Sequence, residues 1–118
     1  MPKLLGAISL LIALFSASAV MAHAALHHAE PAVGSTVETA PREVTLSFTD
    51  KLEPAFSTIE VTGPAGARVE EGKAQVSGST MRIGLRAAGP GTYRVRWHAL
   101  SVDTHSSQGS FTFQVGGH

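Results

Sequence analysis

Apolar and polar residues alternate along four separate stretches of the chain. Their apolar members are Val44, Leu46 and Phe48; Met81, Ile83 and Leu85; Tyr93, Val95, Trp97 and Ala99; and Phe111, Phe113 and Val115. Alternation with period two places one face of a β-strand in the core and the other in water. Ile59 and Val61 mark a further strand. The pattern predicts strands throughout, with the single tryptophan, Trp97, as a core residue.

Proline and glycine residues separate these stretches. They are Pro31, Gly34, Pro41, Pro54, Gly63, Pro64, Gly66, Gly78, Gly89, Pro90 and Gly91. Short strands between such turn signals are typical of a β-sandwich or barrel. We therefore predict an all-β domain, an immunoglobulin-like Greek-key β-sandwich or barrel of about seven strands. The adjacent carboxylates of Glu70 and Glu71 are expected in a solvated turn.

The N-terminus has the pattern of a secretory signal. Lys3 is followed by an apolar run to Phe15 and then by mostly small residues up to Ala22. This order predicts a signal peptide over residues 1–22, with cleavage before His23 and one domain over residues 23–118. Other small-residue cleavage sites also fit. An uncleaved membrane anchor is the alternative. A membrane span needs about 20 consecutive apolar residues, and serines interrupt this apolar run before it reaches that length. We expect an exported, periplasmic protein that does not span the membrane after cleavage.

The amino-acid composition excludes several kinds of functional site. Nine basic and nine acidic side chains argue against binding to nucleic acid through phosphate contacts. The sequence has no cysteine, which excludes disulfides, thiolate metal sites and a cysteine nucleophile. It also has no Gly-x-Ser-x-Gly nucleophile elbow and no phosphate-binding or dinucleotide motif. The remaining chemistry belongs to six histidines: His23, His27, His28, His98, His105 and His118.

Two of these histidines belong to a potential metal site. Asp103 and His105 lie between the last two predicted strands, and residues two apart in extended backbone point the same way. If cleavage makes His23 the first residue, its α-amine and imidazole can chelate one metal ion. Three nitrogens and one oxygen favour a tetragonal Cu(II) ion, and zinc, bound tetrahedrally, is the main competitor. For the Asp-x-His segment alone, a turn-stabilising aspartate is the alternative.

The other histidines have simpler interpretations. His98 alternates outward from Trp97 and is expected to face solvent. His118 ends the chain and is expected to fray. Strand alternation allows at most one of His27 and His28 to face the metal end, and their role in metal capture stays open.

Two separated stretches of the sequence form a recognisable pattern. The first is His23-Ala24-Ala25-Leu26 with Pro31-Ala32-Val33-Gly34, Pro41 and the strand from Val44 to Leu52, and the second is Gly91 to Trp97 with Ser101-Val102-Asp103-Thr104-His105 and Gly109 to Phe113. Together they resemble the CopC family of periplasmic copper-resistance proteins. The resemblance implies one Cu(II) per chain, held by His23, Asp103 and His105. It also implies delivery to a separate inner-membrane protein of the CopD type. Members that bind Cu(I) use a methionine-rich loop, which this sequence lacks, so it resembles the Cu(II)-only subgroup.

We therefore predict a periplasmic Cu(II) carrier or buffer rather than an enzyme. One alternative is a copper oxidase or monooxygenase built on the N-terminal histidine. Against it, the carboxylate of Asp103 would fill a position that a catalytic metal keeps open. The other alternative is a metal-free interaction module, because a sandwich fold does not by itself define a function.

Overall fold

The structure is a computed structural model that describes residues 25–116; the predicted signal peptide over residues 1–22, His23 and His118 lie outside them. The described chain forms eight strands and a short 3-10 helix. They are β1 (Leu26–Glu30), β2 (Thr36–Val37), β3 (Glu43–Phe48), the 3-10 helix (Pro54–Phe56), β4 (Thr58–Thr62), β5 (Glu70–Ser77), β6 (Thr80–Leu85), β7 (Gly91–Leu100) and β8 (Ser106–Val115). Within residues 25–116, no helix has the length and apolar character needed to cross a membrane.

The strands form two four-stranded sheets that enclose the core. The order in the first sheet is β1-β3-β6-β5, and in the second it is β2-β8-β7-β4. Strand pairs are antiparallel except for the short parallel pair of β2 and β8. The predicted all-β sandwich is confirmed. The two ten-residue strands β7 and β8 pair along their whole length, so their connection, residues 101–105, lies at one end of the sandwich.

The predicted apolar faces meet between the sheets. Val44 and Leu46 of the first sheet and Tyr93 and Phe113 of the second are fully buried. The rings of Tyr93 and Phe113 stack with their centroids 5.1 Å apart. Period-two alternation therefore identified both inner faces correctly.

Trp97 belongs to the edge of this core. It packs against the core cluster but stays partly exposed, with Phe48 edge-on at 6.0 Å and Phe111 tilted at 6.4 Å between ring centroids. The predicted side of the strand is right, but full burial is not reached, as is common for a side chain of this size.

The expectation of a solvated turn at Glu70 and Glu71 is wrong. Both residues begin β5, an edge strand of the first sheet, and the Glu70 side chain is only 8% exposed. Its carboxylate accepts hydrogen bonds from the Arg68 side chain and, at 2.8 Å, from the backbone N–H of Val61. Glu70 is therefore a structural carboxylate, and Glu71 is exposed.

Strict alternation also fails in β1. The pairing with β3 shifts between Leu26 and His28, which is a β-bulge at His27. Leu26 and Ala29 both pack on the core although they are three residues apart, and His27 and His28 between them are both exposed. A bulge adds one residue to a strand and breaks the two-residue period, so the alternation argument does not separate these two histidines.

Candidate metal centre

The connection between β7 and β8 is held in shape by a buried serine. Ser101 is fully buried, and its backbone N–H donates to the carbonyl of His105 at 2.8 Å. Its hydroxyl accepts from the backbone N–H of His105 at 3.1 Å and donates to the carboxylate of Asp103. Ser101 therefore orients both predicted ligands, a role that the sequence analysis missed. The one available signal was its position, two residues before Asp103 and four before His105.

The turn also contains a residue in the left-handed region. Thr104 has a φ of 73°, which is unfavourable for a β-branched side chain. Its N–H donates to the carbonyl of Ser101 at 2.9 Å, which closes the turn between the two predicted ligands. The strained backbone of Thr104 therefore lies directly between the two residues that the turn brings together.

Asp103 and His105 converge at the surface, but they do so through the turn at Thr104 and not through the extended backbone that the sequence prediction assumed. Asp103 Oδ1 lies 3.3 Å from His105 Nδ1, and the side chains are 62% and 56% exposed. The hydrogen bond from Ser101 is the main cause that lowers the pKa of Asp103; burial opposes it, and the neighbouring His105 lowers the pKa further. Asp103 is thus kept as a carboxylate beside the imidazole.

The spacing of these two atoms suits a shared cation. Nitrogen and oxygen ligands bound at about 2.0–2.2 Å, with angles between about 90° and 110°, lie roughly 2.9–3.5 Å apart. The observed 3.3 Å falls in that range. An imidazole and a carboxylate are also ligands that zinc and Cu(II) accept.

The start of the described chain lies close to this pair. Ala25 and Thr49 exchange two hydrogen bonds of 3.0 Å, one from the backbone N–H of Ala25 to the Thr49 hydroxyl and one from the N–H of Thr49 to the Ala25 carbonyl. Two residues further on, the carbonyl of Lys51 accepts from the N–H of Val102 at 2.9 Å. Residues 49–52 therefore run between Ala25 and the connection that carries Asp103. His23 precedes Ala25 by two residues.

Three other residues were considered as possible metal ligands or surface histidines: His23, His98 and Met81. Within the described range, no cluster of three or more histidine and acidic side chains suits a metal ion, so His23 stays a prediction for the third ligand. His98 is exposed, as predicted, and its Nδ1 lies 3.3 Å from the carbonyl of Phe56. Met81 is fully buried in the core, away from any ligand role.

Fold and site together define a small β-sandwich protein with a paired imidazole and carboxylate on the loop at one end. The chain belongs to the CopC family, because the model of the CopC domain matches residues 26–116. It is 37% identical over 100 residues to protein YobA of Escherichia coli K12, covering 81% of each chain. It is also 37% identical over 111 residues to copper resistance protein C of Xanthomonas campestris pv. juglandis, covering 86% of each.

The solved structures agree with this assignment. The crystal structure of CopC from Methylosinus trichosporium OB3b superposes with a TM-score of 0.75 at 28% identity, covering 81% of this chain and 96% of that one. The residues matched by the CopC domain model, 26–116, include the connection that carries Asp103 and His105.

Proposed function

We propose that the protein binds one Cu(II) ion in the periplasm and sequesters or carries it for copper resistance and homeostasis. The observation that carries the proposal is the convergence of Asp103 and His105 at 3.3 Å. Membership of the CopC family and a relative named copper resistance protein C support copper as the metal.

The proposed ligand set combines this pair with His23. After cleavage of residues 1–22, His23 would contribute its α-amine and its imidazole. The hydrogen bonds of Ala25 with Thr49 and of Val102 with Lys51 support a position of His23 near Asp103 and His105. The three nitrogens would supply affinity for Cu(II), and the carboxylate of Asp103 would offset part of its charge.

This ligand set suits binding better than turnover. Four protein donors would close the equatorial plane of Cu(II), whereas catalytic metals keep a position open. We therefore propose a carrier or buffer that hands copper to a separate inner-membrane protein of the CopD type. Protons compete for every donor, so acidification through the imidazole range, near about pH 6.5, is expected to release the metal.

A copper titration of the exported protein tests the ligand set. The parent should form a one-to-one complex, and a variant with one extra residue before His23 should lose it, because the extension removes the α-amine from its position. Electron paramagnetic resonance of the parent should show three equatorial nitrogens, and His105→Ala should show two. Equal affinity in the extended variant would exclude the amine as a ligand.

A further inference from the structure

A second imidazole and carboxylate meet on β1. His28 Nε2 and Glu30 Oε2 are hydrogen-bonded at 3.1 Å, a contact that a bound cation would replace, and the two side chains are 57% and 68% exposed. The residues are two apart in the regularly paired part of β1, so they share one face of the strand. The chain therefore carries the same donor pair twice, in opposite order along the sequence.

The geometry of this pair also suits a metal ion. Its 3.1 Å separation falls within the roughly 2.9–3.5 Å expected for neighbouring nitrogen and oxygen ligands of one cation. It differs by little from the 3.3 Å between the Asp103 and His105 donors. Both pairs combine a borderline nitrogen with a hard oxygen, which selects divalent ions such as Cu(II) and Zn(II) over Cu(I).

The surroundings leave room for further ligands. β1 is the edge strand of its sheet, so a neighbouring strand lies on one side of the pair only. On that side, His28 is opposite Ser47 and Glu30 is opposite Thr45, whose side chains are short and uncharged. The nearest basic residue in this register is Arg82, one strand further away and opposite Thr45. Water molecules can therefore complete a coordination sphere at this surface.

We propose that His28 and Glu30 form a second site for a divalent metal ion, separate from the site at Asp103 and His105. The site takes Cu(II) or Zn(II), with two protein donors and water as the other ligands. Because it has two protein donors rather than four, it binds more weakly than the proposed first site. It fills after the first site and raises the copper capacity of the chain to two ions.

Calorimetric titration of the exported protein with Cu(II) tests this inference. The parent should bind a tight first equivalent and a weaker second one. Glu30→Gln and His28→Ala should each lose the second equivalent and keep the affinity of the first, because both side chains are exposed and neither belongs to the ligand set proposed for the first site. Electron paramagnetic resonance of the second equivalent should show a single coordinated nitrogen.

His27→Ala is the matched control, since it removes a neighbouring exposed imidazole and leaves the pair intact. It should retain both equivalents. A second equivalent that survives Glu30→Gln, or that is lost equally in His27→Ala, would overturn the assignment, and so would a parent that binds one equivalent only. Asp103→Asn distinguishes the two proposals: it should weaken the first equivalent and leave the second, and an unchanged first equivalent counts against the proposed function alone.

Discussion

At the scale of single residues, Ser101 determines how the loop presents Asp103 and His105, the proposed ligands. Its hydroxyl donates to the carboxylate of Asp103 and accepts from the backbone N–H of His105, while its own side chain is fully buried. Outer-shell hydrogen bonds of this kind hold ligands in the orientation that a metal needs, and their removal typically costs about 10–100-fold in affinity.

Ser101→Ala should therefore weaken Cu(II) binding by about 10–100-fold, although no ligand is removed. The metal-free variant should lose about 1–3 kcal/mol of unfolding free energy, because the N–H of His105 loses its acceptor. The pKa of Asp103 should rise towards its ordinary value of 3.8, since the hydrogen bond that lowers it is gone. Carbon-13 NMR of the carboxyl group measures that shift. Ser110→Ala, at an exposed position of β8, is the control and should change none of the three.

The sequence predicted that Asp103 and His105 lie together, but it did not predict the hydrogen bonds that hold them. Asp103 and His105 were found because their chemistry and their two-residue spacing are visible in the sequence. The role of Ser101 depends on its burial between two chain segments, and the positive φ of Thr104 depends on how the turn closes. Neither follows from local propensity, because serine and threonine are ordinary loop residues.

At the scale of elements, the pairing of β7 with β8 fixes the loop that carries Asp103 and His105. Trp97 lies directly opposite Gly109 in this pair, and its ring covers the glycine. A Cβ atom at position 109 would overlap three atoms of the ring. The glycine is therefore required by close approach of the indole rather than by its backbone conformation.

Gly109→Ala should destabilise the protein by about 1–3 kcal/mol, because the indole must leave its place against Phe48 and Phe111. Trp97 is the single tryptophan, so its fluorescence should shift to the red as the ring becomes more exposed. Gly84→Ala is the matched strand control: a Cβ there would meet its nearest neighbour, the Glu71 side chain, at 3.7 Å. That change should stay within about 0.5 kcal/mol. Equal losses in urea unfolding of the two variants would contradict this account.

The elements differ in how well the sequence predicts them. The inner strands β3, β6, β7 and β8 alternate regularly because one face of each is buried. Strand β5 reads Glu-Glu-Gly-Lys-Ala-Gln-Val-Ser and lies at a sheet edge with mostly exposed or half-buried residues, so its hydrophobic signal is weak. In β1 the bulge at His27 breaks the period itself. The edge strands β1 and β5 thus lack the regular pattern on which the prediction relies, whereas the edge strand β4 keeps it because Ile59 and Val61 are buried.

At the scale of the whole molecule, Glu70 links the two sheets. It begins β5 in the first sheet, and its Oε1 accepts from the backbone N–H of Val61 in β4, an edge strand of the second. The carbonyl of Val61 accepts from the N–H of Val69 at 2.8 Å, so both polar groups of Val61 are satisfied by the segment that enters β5. Burial raises the pKa of Glu70, but the hydrogen bonds from Arg68 and Val61 together outweigh it, and the net pKa lies below the ordinary 4.5.

This lowered pKa makes the stability of the metal-free protein depend on pH in a defined direction. A carboxyl group whose pKa is lower in the folded state stabilises that state above its unfolded pKa, and the contribution is lost as the pH falls through the folded value. Glu70→Gln should therefore reduce the unfolding free energy by about 1–3 kcal/mol at neutral pH. The difference from the parent should shrink as the pH falls below the ordinary 4.5 and through the lower folded pKa of Glu70, where the parent loses the same charge. Urea unfolding at a series of pH values measures both effects. Glu71→Gln changes the exposed neighbour and should follow the parent at every pH, so a parallel loss in both variants would mean that net charge, rather than the link between the sheets, sets the acid stability.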